Sequence, residues 1–272
     1  MSDIDSAPSE AASAQDRLPA SRRQAMGIAK DLALHVGAPL LLFLLLAVAW
    51  EWTALTFTSV LPPIHEVSED IASRPDFYLE NLLSTVRSAM IGLVIGVTAA
   101  LVLGAAIVHF TFLRAAIMPV ALLLNVTPIV AIAPALVVAF GFSDLPRIVI
   151  AAVSAFFPML INSITGLRSV DPQALEVFRA MAASSREIFL RLRIPSSLPY
   201  LFAGLRLSVT AAMVGAVVSE FTGASRGIGA VIVSATTYLN LPQMWAAILF
   251  SAVTTLCLLG IIGLLERVIV RW

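Results

Sequence analysis

Charge is scarce in this chain of 272 residues. Only 12% of them are charged, against 59% apolar, and the mean hydropathy is +0.95. A soluble domain carries roughly 25% charged residues. The composition is that of an integral membrane protein. The formal net charge is zero, so no nucleic-acid partner is suggested. The single cysteine, Cys257, lies inside an apolar run; it cannot close an internal disulfide and reads as a small packing residue. Lys30 is the only lysine, and no G-x-x-x-x-G-K-[ST] occurs, so this chain lacks that phosphate-binding loop. It lacks H-E-x-x-H, and its one G-x-S-x-G, Gly223 to Gly227, falls in a helical membrane chain without the strand-to-helix turn that makes that motif a nucleophile, which argues against an intramembrane hydrolase. His35, His65 and His109 fall on different segments and do not form one metal site. No cofactor is expected on this chain.

Long apolar runs take the place of charge. Six candidate spans are expected, at about 35–57, 86–109, 115–140, 147–167, 199–220 and 243–265, each near the roughly 20 residues that cross a bilayer. Residues 1–30 are rich in Ala, Ser, Asp and Glu and read as a disordered cytoplasmic tail without the apolar core of a secretory signal. Arg74, Arg87, Arg147 and Arg226 fall on one side of this layout, and the other basic residues fall on the other. The bias puts both termini and the 168–199 connection in the cytoplasm.

That connection is the longest polar interruption in the second half. Helix–helix connections usually take roughly 2–8 residues, so thirty is more than turning requires. Asp171-Pro172 has the form of a capped helix start. Leu175, Phe178 and Ala182 recur at helical spacing, with Val177 and Met181 beside them. Ser184 and Glu187 have the form of a capping box opening a second short helix, which Pro195 and Pro199 are expected to end. Arg168, Arg179, Arg186, Arg191 and Arg193 make a basic rim. On periodicity alone, an amphipathic hairpin resting on lipid fits as well as a protein-docking loop.

The stretch resembles the cytoplasmic "EAA" loop of binding-protein-dependent ABC importer permeases: E-A-A, three residues, G, nine residues, I-x-L-P. The spacing falls on Glu176-Val177-Phe178, Ala182 and Leu192-Arg193-Ile194-Pro195. Glu176 and Pro195 match; the rest are substitutes. Ala182 stands at the family's glycine, and a residue with Cβ resists positive φ, which argues against a left-handed turn there. The flanks, Gly166 to Pro172 and Leu198 to Val209, are also similar, and the resemblance covers roughly 82–266. Leu61-Pro62-Pro63 followed by Glu66-Val67 resembles a segment of the sulfonate/nitrate/taurine branch; it reads as an extended segment leading to a short polar helix.

Within the spans, Gly92, Gly96, Ala100 and Gly104 form a stripe where another helix can approach closely. Packing inside one subunit is the plainer reading, a dimer seam the other. Asn125 and Pro128 in the third span, and Pro158 and Asn162 in the fourth, mark kinks that fit a transport pathway or simple kinked packing. Glu51, Arg87, Arg206 and Glu220 all lie towards span ends, where the interface can solvate them. With no ionisable group near a span centre, an ion-coupled secondary transporter or channel is the less favoured alternative. Ser219 to Gln243 is too polar and glycine-rich to cross, and Ile228 to Leu239 can form a short outer helix. The family has a similar segment beside its outer gate, which makes Glu220 a gate candidate; an interfacial helix cap is the alternative.

The resemblance implies an all-α, polytopic permease with six transmembrane helices around a five-helix core. Residues 31–81 would hold the first span and the outer segment, and 82–266 the permease domain with its coupling loop at 169–199. It implies a bacterial inner (plasma) membrane location. The implied partners are ABC ATPase subunits, which carry the ATP, a periplasmic substrate-binding protein, and a second permease copy or sister permease. The implied coupling residues are Glu176, Phe178, Ala182, Leu192, Ile194 and Pro195. The solute would be of sulfonate, nitrate, taurine or vitamin-precursor type.

Overall fold

The computed structural model describes residues 37–57 and 60–271, except the side chains at 39, 111, 120–122, 124–126, 129 and 130. The tail expected at 1–30, and the start of the first expected span, lie outside the described residues. No strand occurs among the described residues; the fold is all-α. The chain divides after Ile64 into two units.

The first unit holds helix α1, Ala38–Thr56. Leu40 to Leu46 are all more than half exposed, so the helix is apolar all round, as a helix meant for lipid is. The segment after it folds back. Trp50 donates from Nε1 to the Pro62 carbonyl at 3.0 Å, and the Ile64 amide donates to Glu51 at 3.0 Å. Glu51 is thereby occupied by a backbone donor.

The second unit opens in α2, Ile64–Ser73, the short polar helix expected from the sequence. Then come α3 (Pro75–His109), α4 (Thr111–Val126), α5 (Ile129–Phe140) and α6 (Asp144–Arg168). A loop pair follows, α7 (Pro172–Ala180) and α8 (Ser185–Ile188), leading into α9 (Ile194–Glu220). A ten-residue helix α10 (Ile228–Thr237) and a long α11 (Leu241–Ile269) complete the chain. Among the described residues, four stretches are long and apolar enough to cross a membrane: α3, α6, the run Ser185–Glu220 and α11.

Helix α6 is the centre, and small residues explain how it gets there. A Cβ built on Gly92 would stand 2.6 Å from the Ala151 Cβ, and one on Gly96 would strike the Ala152 carbonyl. Gly104 lies against Ser163. The α3 stripe therefore packs inside the subunit, on α6. The other side of α6 takes α9 in the same way: Gly204 meets Asn162, Gly215 meets Ser154, and Ser197 and Tyr200 of α9 meet Gly166. Ser208 donates across to the Ala155 carbonyl at 2.8 Å. Close backbones with occasional hydroxyl bonds are how helices associate where lipid removes the hydrophobic drive.

One expectation is met in sharper form here and one fails. The third span, read as kinked at Pro128, is two helices. It breaks between α4 and α5, where Thr127 is extended (φ −66°, ψ 124°) and Pro128 follows. Proline pushes the residue before it out of the helical region and has no N–H to continue the ladder. Conversely, Pro195 and Pro199 do not end the loop's second helix. Helix α8 runs through a π-helical turn, Phe189–Arg193, directly into α9, with Pro195 in its first turn and Pro199 inside it. The Ile194 amide reaches back five residues to the Phe189 carbonyl. A π turn is rare and occurs mostly as a single widened turn inside an α-helix, and this one ends two residues before Pro195, which has no donor.

Candidate functional site

The loop between α6 and α9 is built by local chemistry. Asp171 accepts from the Gln173 amide at 3.1 Å, and Pro172 takes the first helical position. Ser184 and Glu187 form the reciprocal capping box: the Glu187 amide donates to Ser184 Oγ at 3.3 Å, and the Ser184 amide donates to Glu187 Oε2 at 2.9 Å.

Between these two starts lies Ala182, with φ of +53°. The turn is left-handed despite the Cβ, against the expectation from the residue type. The Ala183 amide donates to the Phe178 carbonyl and the Ala182 amide to the Arg179 carbonyl, both at 3.0 Å. These are the two bonds of a Schellman helix end, which places one residue in the left-handed region whatever its identity. Alanine has the smallest side chain after glycine, so its strain is modest, and the two bonds offset it.

No residue of α7 is buried. Val177 is 57% exposed and Met181 76%, and Glu176 is exposed beside them. Leu175 and Phe178 are half-buried, on the side towards the rest of the chain. Leu192, Ile194 and Pro195 are half-buried where the loop becomes α9. Arg193 donates from Nη1 to the Leu167 carbonyl in the last turn of α6, where a cation is favoured. His109, ending α3, packs edge-on against Phe189 with ring centres 4.8 Å apart. A cleft of about 270 Å³ opens between them, lined by His109, Leu175, Arg179, Ile188, Phe189 and Arg193 among others. The loop thus joins three long helices.

The far end of α9 holds a second cluster that the sequence did not reveal. Glu220 is 1% exposed, so the interface does not solvate it as its place near a span end suggested. Protein groups do. Thr85 donates to its two carboxylate oxygens at 2.9 and 3.0 Å, the Gly229 amide donates at 2.7 Å, and Arg147 Nη1 lies 3.5 Å away. Arg147, 8% exposed, also pairs with Asp144 and donates to Ser84 and to the Arg226 carbonyl. The G-x-G at 227–229, opening a helix without a capping side chain of its own, was the available signal.

Arg206 lies midway along α9, half-exposed, and pairs with Glu266 of α11. Among the pathway candidates, Asn162 is half-buried and donates to the Pro158 carbonyl at 2.8 Å, one turn back in its own helix. Pro128 stands at the α4–α5 break. Asn125 is in the last turns of α4, and its side chain lies outside the described residues.

The chain is similar to several named transport permeases. It is 32% identical over 242 residues to the formylaminopyrimidine transport permease protein ThiX of Halalkalibacterium halodurans, covering 86% of this chain and 95% of that one. It is 34% identical over 164 residues to the riboflavin transport system permease protein RibX of Chloroflexus aurantiacus, covering 60% and 61%. It is 33% identical over 150 residues to the putative aliphatic sulfonates transport permease protein SsuC of Bacillus subtilis, covering 55% and 54%. The family model described as "Binding-protein-dependent transport system inner membrane component" matches residues 81–271, from the second turn of α3 through α11. With that match, the all-α polytopic architecture and the loop at 169–199, the chain belongs to the binding-protein-dependent family of ABC importer permeases.

Proposed function

We propose that this permease imports a small solute handed to it by a separate binding protein, and that ATPase subunits on other chains drive it through residues 169–199. The observation that carries the reading is the build of that loop. Helix α7 presents Glu176, Val177 and Met181 on an unpartnered face, while capping bonds and the Schellman end hold it in one geometry. Helix α8 is continuous with α9, and Arg193 fastens the same segment to α6. A force applied to α7 and α8 therefore reaches both central spans without passing through a flexible joint. Phe178, Ala182, Leu192, Ile194 and Pro195 serve as the frame of the device, and Glu176 as its contact. A driving ligand must interact differently with the two states it shifts; this surface is where the ATPase would do so.

In this reading the loop and both termini face the cytoplasm, in a bacterial inner membrane, and the α10 end faces outward. The pathway runs beside α4, α5 and α6, at Asn125, Pro128, Pro158 and Asn162, between this permease and a second copy or a sister permease. The solute is of the vitamin-precursor kind. One relative aligned over most of both chains is named for formylaminopyrimidine, and Arg147 and Arg206 are each occupied by a carboxylate, which favours an uncharged solute over an anion.

Glu176→Lys tests the reading. In vesicles holding the permease with its ATPase and binding protein, uptake is expected to be lost while the permease remains inserted. Unchanged uptake would remove the docking role, and uptake by the permease alone would favour the ion-coupled alternative.

A further inference from the structure

Helix α10 has no N-terminal cap of its own. Its first position is preceded by Gly227, whose φ is +122°. A helix start leaves several backbone N–H groups without partners, and a side chain at the cap normally takes one. Here three are taken, all by residues from elsewhere. The Gly227 amide donates to Asn81 Oδ1 at 2.9 Å, the Ile228 amide to Thr85 Oγ1 at 2.8 Å, and the Gly229 amide to Glu220 at 2.7 Å. Asn81 and Thr85 belong to α3, and Glu220 to the last turn of α9. Thr85 closes the set, since its hydroxyl accepts from Ile228 and donates to the Glu220 carboxylate. Arg147 of α6 stands over the carboxylate and ties down the loop through the Arg226 carbonyl.

The glycines are part of this arrangement. A Cβ on Gly227 would run into the Glu220 carboxylate, and one on Gly229 would stand 2.8 Å from the Glu220 Cβ. Apolar packing continues from the clamp: Ile228 and Val231 are buried in one cluster with Tyr78 of α3 and Ala246 and Ala247 of α11, and Ala235 is buried further along the same helix. Helix α10 is therefore held by its N-terminus and by one face.

We infer that Glu220 is a positioning residue for transport: with Asn81, Thr85 and Arg147 it clamps α10 to α3, α6 and α9, so that α10 travels with these spans and does not open as a separate flap. A carboxylate suits this place because it accepts several bonds at once and is favoured at a helix N-terminus. The buried pair with Arg147 adds little net stability, but removing one partner leaves a buried charge exposed to no solvent. The clamp's transport role rests on reading the chain as an import permease with α10 outward; its geometry does not.

The test separates the two. In a Cys257→Ser background, Ala235→Cys reports on α10, because Ala235 is 2% exposed. Its labelling by a maleimide in detergent is expected to be slow, and to speed up about tenfold in Glu220→Ala, which orphans the Gly229 amide. Glu220→Gln keeps an acceptor for Gly229 and Thr85 and is expected to restore slow labelling. In vesicles with ATPase and binding protein, solute imported per ATP hydrolysed is expected to fall about tenfold in Glu220→Ala and to recover in Glu220→Gln; a merely structural role would lower uptake and hydrolysis together. Thr85→Val, which removes only the hydroxyl, supplies the same comparison where Glu220→Ala does not accumulate. Labelling equal in all variants overturns the clamp, and so does Gln behaving as Ala. Ser225→Cys, on the exposed loop, is labelled from outside if α10 faces outward; failure there overturns the orientation and leaves the clamp standing.

Discussion

Arg193 Nη1 donates to the Leu167 carbonyl at 2.9 Å, across twenty-six positions of sequence. One residue is in the π-helical turn that leads into α9; the other is in the last turn of α6. The bond closes the long loop on itself. It makes the ends of two neighbouring spans share one anchor, at the place where the family's ATPase is proposed to push.

Removing that anchor is expected to loosen the drive before it loosens the fold. Arg193→Met keeps the apolar stem and drops the donor. A hydrogen bond from a charged group contributes about 1.5–3 kcal/mol, and the partial exposure here puts the expected loss at the low end. ATP hydrolysis in the assembled complex should persist while solute uptake falls several-fold. Protease cutting within 181–185 should quicken in the same variant. Equal uptake in Arg193→Met and the parent would show that the bond carries no force.

The left-handed turn at Ala182 offers the opposite change. An L-residue in this region costs about 1–2 kcal/mol relative to the right-handed one, and glycine escapes most of that cost. Ala182→Gly is therefore expected to raise the thermal midpoint of the purified permease, and Ala182→Val to lower it. The φ of +53° is the cause in both cases. A midpoint that rises in the valine variant would mean the turn is not left-handed in the folded permease.

Close helix approach makes a sharper contrast. A Cβ at Gly96 would strike the Ala152 carbonyl, whereas one at Gly260 meets nothing within 4 Å. Overpacking of a tight contact costs about 1–3 kcal/mol. Gly96→Leu should reduce the yield of folded permease and lower its melting point, and Gly260→Leu should do neither. Matching losses in the two variants would place the α3 stripe somewhere other than against α6.

Much of this chain was legible without coordinates because its signals are local. Asp171-Pro172 and the Ser184–Glu187 box are caps whose partners lie two or three residues away, and both form as read. The short helix at 64–73 and the run of helices from 75 to 269 follow from composition and from breaks at Pro and Gly. Scarce charge and long apolar runs pointed to a membrane protein, and one spaced pattern together with both its flanks pointed to its family.

Tertiary structure decided what depends on distance. Glu220 reads from the sequence as a gate candidate or an interfacial cap near a span end, and it is buried because Thr85, 135 positions earlier, and Arg147 come to it. The glycines at 227 and 229 mark the uncapped helix start nearby, but nothing along the chain names Thr85 or Arg147. Pro195 reads as a helix end in any linear scan, yet the π-helical turn ahead of it carries the helix on. The stripe from Gly92 to Gly104 announced a close contact but not with what; α6 fills it, since that helix brings Ala151, Ala152 and Ser163 to meet it. Caps and periodicity act over a few residues and survive in the sequence, whereas burial is set by which helices the whole fold brings side by side.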